Sequence, residues 1–250
     1  MANKLSIPTK YQKILWGRSH GMCSICRCML SEDTESGDAI CHGVHAHIEG
    51  ENPTAARYNP EMSDKARQHY KNLILLCLNH HDEIDKNPEK YPVSVLIKIK
   101  DDHIQFLSNS IMNEIPNLTF AELEVIQKYL ANTENVSSNF SIDYDQIAIE
   151  HKLKHNQLSG YVKDYIAMGL SNSRLVENFI NSFPDPNYSN RLKNIFKDRY
   201  SDIRKSDESS EEVFYDLLKF STRNFQDSKT IAAGVTILAY YFQICEVFEK

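Results

Sequence analysis

Side chains able to bind metals or move protons crowd the first ninety residues. Cys23-x-x-Cys26 and Cys77-x-x-His80 are two ligand pairs at metal-knuckle spacing. Three thiolates and one imidazole suit tetrahedral zinc, so these four are expected to hold a structural Zn2+. Cys28 and Cys41 are rivals for single positions, although Cys28 sits only two residues from Cys26, which is poor geometry. Cys245 reads as a core thiol. Val44 to Ile48 alternates as a strand does, which puts His45 and His47 on one face. Imidazole has a pKa suited to taking a proton from water near neutral pH, so His47 is the candidate general base. His81 and Asp85 lie four residues apart. On a helix starting near Asn79 they share a face one turn apart, where an imidazole and a carboxylate grip one cation. His45 is the third candidate ligand for that cation, and His42 could substitute for it.

In order along the chain stand Cys23 and Cys26, Ala46-His47-Ile48, Asn72-Leu73-Ile74, Cys77-Leu78-Asn79-His80-His81 and Ile84-Asp85. This series resembles the HNH (ββα-metal) endonucleases over residues 10 to 105. The resemblance implies a ββα-metal fold with a zinc knuckle and a phosphodiester hydrolase. It implies double-stranded DNA as substrate and 5′-phosphate and 3′-hydroxyl ends as products. It casts His47, Asn72 and His81 as catalytic, with His81, Asp85 and His45 on a catalytic divalent cation, Mg2+ or Mn2+. Asn72 would help to hold the catalytic histidine or the metal region; otherwise it is a turn residue before a strand. Many relatives carry an acidic residue at or near the position of Ala46. Alanine cannot ligate, so that duty falls on His45 or on water, and such a set would also tolerate Ni or Zn. A single site of this kind cuts one strand, so cutting both implies more than one copy.

The elements that must position these groups follow from periodicity and breakers. Tyr11 to His20 reads as a helix with Ile14, Leu15 and Trp16 toward a core, broken by Gly21. Ser31 to Asp38 reads as an acidic loop, and Ala39 to Ile48 holds the first strand. Glu49 to Pro60 is a polar loop, from which Arg57 is a candidate phosphate contact. Ser63 can cap a helix over Asp64 to Tyr70. Leu73 to Leu76 is a buried second strand. The helix carrying His81 stops near Asn87-Pro88, with Lys86 as a weaker phosphate candidate. A long helix follows from Val93 to about Met112.

Asn113 to Asn117 marks the expected boundary between a nuclease domain, 1–112, and a helical assembly or regulatory domain, 118–250. The fold class is therefore α+β, with an all-α C-terminal half. Thr119 can cap a helix over Phe120 to Leu130. Further helices are expected at 143–155, 157–168, 171–182, 187–205, 210–224 and 229–249. The last is apolar almost all round, but Thr236, Gln243 and Glu246 argue against a membrane span, so a buried or intersubunit helix is expected. The run from Ile237 to Glu249, with Glu212-Val-Phe-Tyr-Asp-Leu-Leu before it, resembles the C-terminal domains of ABC-three-component defence systems, including Lamassu-like anti-phage systems. That resemblance implies an SMC-like ATPase and a third small subunit as partners; the apolar last helix adds the expectation that the active enzyme self-associates.

Composition bounds these readings. The chain has 250 residues, a hydrophobic fraction of 41% and a formal net charge of -6. Residues 1–110 carry 13 Lys and Arg against 14 Asp and Glu; the remainder carries 15 against 20. The acidic half is expected to repel DNA, and the near-neutral half should bind it weakly without added basic surface. Met1 to Lys10 lacks an apolar signal-peptide core, so a cytoplasmic location is expected. Two other functions are weighed. A non-catalytic zinc nucleic-acid-binding module would have no use for His47, His81 and Asp85 together. A stand-alone restriction-type nuclease would need a basic recognition helix, which the tail lacks.

Overall fold

The computed structural model describes residues 6–33, 39–133, 149–205, 208–222, 227–244 and 248. It falls into two compact units, Met1–Leu107 and Ser108–Lys250. Most of the chain is helical, and the strands all lie in the first unit.

Helix α1 (Thr9–Arg18) buries Ile14 and Leu15. It stops where His20 turns left-handed, at φ 48°. The Gly21 amide then reaches back to the Trp16 carbonyl at 3.1 Å and the His20 amide to Gly17 at 3.3 Å, which closes the helix end. A tight loop containing Cys23 to Cys28 follows. Next come β1 (Ser31–Asp33) and β2 (Ala39–Cys41), an antiparallel pair in which Ser31 faces Cys41. The expected acidic loop thus begins as a strand, and the rest of it, 34–38, lies outside the described residues. The expected single strand from Ala39 is broken at His42, whose amide turns to the Leu30 carbonyl at 2.7 Å.

The second antiparallel pair is β3 (Gly43–His47) with β4 (Leu73–Cys77), in register from Gly43–Cys77 to His47–Leu73. Leu73 to Leu76 are buried on both faces, between α1 on one side and the elements after β4 on the other. Gly43 is needed for a close approach: a Cβ there would sit 2.6 Å from the Trp16 ring. Between the strands, α2 (Asp64–Arg67) is capped by the Ser63 hydroxyl. It ends a turn earlier than the sequence suggests, because the His69 side chain accepts from the Lys71 amide and starts a 3-10 turn over Tyr70–Asn72. α3 (Leu78–Lys86) leaves β4 directly and buries Ile84. α4 (Val93–Glu114) contributes Leu96 to the same core.

The second unit is helical throughout its described residues. After a 3-10 turn at Ile115–Asn117 come α5 (Phe120–Thr133), α6 (Ile149–His155), α7 (Gly160–Leu170), α8 (Ser173–Asn181), α9 (Tyr188–Arg204), α10 (Ser210–Thr222) and α11 (Ser228–Ile244). Two capping boxes set helix starts: Glu122 accepts from the Thr119 amide at 2.8 Å, and Glu212 from the Ser209 amide at 2.9 Å. α11 is the hub, packed by α5, α7, α8 and α10, with Ile231 to Ala239 buried on every side. Its apolar surface is therefore covered within its own unit, the buried one of the two expected alternatives. No helix among the described residues is long and apolar enough to cross a membrane.

Candidate functional site

The cysteine loop is shaped before any metal enters. The Cys23 amide bonds the Cys28 carbonyl at 2.9 Å, and the Arg27 amide bonds Cys23 at 2.8 Å, with Arg27 left-handed at φ 61°. The Ser24 amide then fastens the loop to Leu75 of β4 at 2.9 Å. Cys77 ends that strand, and His80 follows in the first turn of α3. The four ligand atoms of Cys23, Cys26, Cys77 and His80 all lie within 4.8 Å of one another. His80 Nδ1 is 3.1 Å from Cys77 Sγ and 3.6 Å from Cys23 Sγ. Donors on a tetrahedral zinc stand roughly 3.5–3.8 Å apart, so the set fits that ion. Burial raises the Cys23 thiol pKa, but hydrogen bonds from the backbone of Cys26, Cys77 and Ile25 outweigh it and hold it below its ordinary value. Burial and the neighbouring thiols push Cys26 and Cys77 up. Three crowded thiols resist ionising together, and a divalent cation relieves that repulsion. Cys28 Sγ approaches Cys26 at 3.3 Å but stands outside the group of four, and Cys41 is exposed. Cys245 lies outside the described residues.

His47, half-buried at the end of β3, places Nε2 3.3 Å from Gln68 Oε1. With Gln68 accepting, Nε2 carries the proton and Nδ1 the lone pair. Burial lowers the His47 pKa; Gln68 and the charges of Glu51 and Asp85 act against that fall, and Arg67 adds to it. The ring is thus neutral near pH 7, with a basic nitrogen. Asn72 is buried and touches neither a ligand nor the imidazole. Its side chain accepts from the Glu49 amide at 2.9 Å and donates to the Glu49 and Arg67 carbonyls, each at 3.0 Å. It clamps the backbone that leaves His47, a positioning part.

Helix spacing brings His81 and Asp85 together, Nε2 to Oδ2 at 3.4 Å. Arg57 takes the other carboxylate oxygen at 2.8 Å and also donates to the carbonyls of Ile48 at 2.9 Å and Ile84 at 2.7 Å. Its side chain is only 5% exposed. The expected phosphate contact is thereby corrected: the guanidinium faces inward, ties the end of β3 to α3 and orients Asp85. His45 also departs from expectation. Its Nε2 accepts the Trp16 indole N–H at 2.8 Å, and His45 does not join His81 and Asp85 in a ligand cluster. His42 is turned to Glu32, 2.9 Å away, and Lys86 pairs with Asp82 at 2.7 Å. Among the described residues, the Cys3His group is the one cluster of three or more ligands within bonding reach.

The sequence model of C-terminal domain 10 of the ABC-three component (ABC-3C) systems matches residues 121–249. The chain belongs to this family. No curated protein matches it. The ABC-3C domain takes in α5 to α11, so the metal cluster and the histidine site lie wholly before it. Sequence reasoning missed Gln68, Glu51 and Arg67. Arg67 is buried and spends its guanidinium on the carbonyls of Gly50, Asn59 and Met62 at 2.7, 2.7 and 2.9 Å, which fixes the loop beside His47. The one signal for Gln68 and Arg67 is their place in a short capped helix just before the Asn72 strand.

Proposed function

We propose that the N-terminal unit is an HNH-type, metal-dependent DNA endonuclease, and that the chain is the nuclease component of an ABC-3C anti-phage system. The observation that carries the reading is His47. A half-buried imidazole in contact with Gln68, its pKa lowered by burial, stands at the end of a strand, within electrostatic reach of an Asp85 carboxylate that is itself paired with His81. The strand pair and the helix bearing these groups are tied together by the Cys3His cluster.

In this reading His47 Nδ1 takes a proton from water as it attacks phosphorus. His81 Nε2 and Asp85 Oδ2 would hold the catalytic divalent cation, leaving its other positions to water and substrate oxygens, and Arg57 keeps Asp85 in place. Such a cation stabilises charge on the scissile phosphate and the leaving oxygen. Cys23, Cys26, Cys77 and His80 would hold structural zinc, which takes no part in the reaction. The helical unit would serve assembly with an SMC-like ATPase and a third subunit in the cytoplasm.

The test uses the purified full chain, supercoiled plasmid and added Mg2+ or Mn2+, alone and with the proteins encoded beside it. Metal-dependent nicking is expected, with 5′-phosphate ends. His81→Ala and Asp85→Ala should each lower the rate about 100-fold or more. No cutting under any of these conditions, together with zinc-dependent DNA binding, would replace the reading with a non-catalytic zinc module.

A further inference from the structure

The acidic chain gathers a local cationic surface that its overall charge conceals. The rings of Tyr11, His69 and Tyr70 pack together, with centroids 4.5 Å apart for Tyr11–His69 and 4.4 Å for His69–Tyr70. Cations lie against these rings: Lys10 5.0 Å from the centre of Tyr11, Arg18 4.7 Å from that of Tyr70. Lys100, buried, is committed inward to the Tyr70 carbonyl at 2.6 Å. His69 feels Lys71, Lys100, Lys10 and Arg18 together, all of them holding its pKa down beside burial. Lys10, Lys65 and Lys71 are exposed. Acids stand near the group too: Asp101 acts on Lys100, and Glu49 lines the groove beside it. Beside this surface runs an open groove of about 470 Å3. Lys65, His69 and Lys71 line one part of it, and Ile48, Glu49 and Asn72 another. The latter three are the segment that leaves His47 and the clamp that holds it.

We propose that Lys10, Lys65 and Lys71, arrayed around the Tyr11–His69–Tyr70 cluster, form the seat for the phosphate backbone of the DNA substrate and lead one strand along the groove toward His47. The proposal rests on the endonuclease reading. The Tyr11 ring holds Lys10 in place, Lys65 and Lys71 line the groove, and several lysines beside a groove fit a polyanion better than a single small anion. It also answers how a chain of net charge -6 would hold DNA: the basic residues are assembled by α1, α2 and the 3-10 turn before β4, which are separated in sequence.

The experiment measures binding of a short fluorescein-labelled duplex to the full-length chain by polarisation, without added divalent metal, over a series of salt concentrations. Replacing Lys10, Lys65 and Lys71 together by alanine should weaken binding on the order of 100-fold at about 0.15 M salt and flatten the log–log salt slope by about 2 to 3. The matching triple arginine variant should bind like wild type. All three side chains are exposed, so zinc content and melting temperature should not move. An alanine variant with wild-type affinity and slope, or a wild-type chain that binds no duplex, overturns the proposal. The two readings fail separately. If His47→Ala still cuts while the alanine variant loses binding, the surface stands and the assigned base falls. If the alanine variant binds as wild type while His47→Ala is dead, the base stands and the surface falls.

Discussion

At the scale of single residues, the account turns on what holds His47 neutral and oriented. Burial lowers its pKa below the ordinary 6.5, and a nearby cation would lower it further. The unprotonated ring is the base, so the acid limb of the cutting rate should lie below pH 6.5. Gln68→Glu would set a carboxylate against Nε2, favour the imidazolium and move that limb upward; a pH–rate profile that does not move would remove Gln68 from the positioning role. Arg57→Ala should cost about 3 kcal/mol, since it strands the buried carbonyls of Ile48 and Ile84 and frees Asp85. Denaturant melts would show the loss, and the metal concentration giving half-maximal cutting should rise. The cysteine and histidine pairs were legible because their spacing is local: two ligands three residues apart, or one turn of helix apart. The roles of Arg57, Gln68 and His45 were not. Each depends on a partner 9 to 29 residues away, Ile48, His47 and Trp16 respectively, and residue type alone suggests a phosphate contact or a ligand instead.

At the scale of elements, the cysteine loop adds a further tie to the strand pair and α3, which already share the core and the Arg57 link. Cys77→Ser should therefore release zinc and loosen the N-terminal unit while the helical unit keeps its far-ultraviolet signal; elemental analysis and limited proteolysis would follow the two effects. Retention of one zinc per chain would contradict the assigned ligands. In the helical unit, α7 approaches α11 closely at Gly169, where a Cβ would meet Ala239 Cβ at 2.5 Å and the Val235 carbonyl at 2.7 Å. Gly169→Ala should destabilise by about 1–3 kcal/mol, as overpacking does, with a lower melting temperature as the readout. Helix positions were readable from 3.6-residue periodicity and from breakers such as Gly21 and Pro88. The hairpin β1–β2 was not, because a three-residue strand rich in acids carries no alternation signal. The fate of α11 was also hidden. An all-round apolar helix says that it is covered, not by what, and here its cover is α5, α7, α8 and α10.

At the scale of the whole molecule, the chemistry and the family membership occupy different stretches. The ABC-3C domain spans 121–249, while the metal cluster and His47 lie before residue 90. On the endonuclease reading, the helical unit would bring the N-terminal unit into a multi-component system. With α11 already covered, docking should use outward side chains such as Phe120 and Val125, at 41% and 45% exposure. Replacing both by Asp should abolish co-purification with the proteins encoded beside this chain and leave plasmid nicking by the isolated chain unchanged; retained co-purification would place the docking face elsewhere. The central claim is that the N-terminal unit hydrolyses DNA through His47. The most direct measurement compares wild type with His47→Ala at matched zinc content, on supercoiled plasmid with Mn2+ and the neighbouring proteins present. The account predicts a loss of at least about 100-fold in nicking rate with zinc retained, and nicking by His47→Ala at the wild-type rate would contradict it.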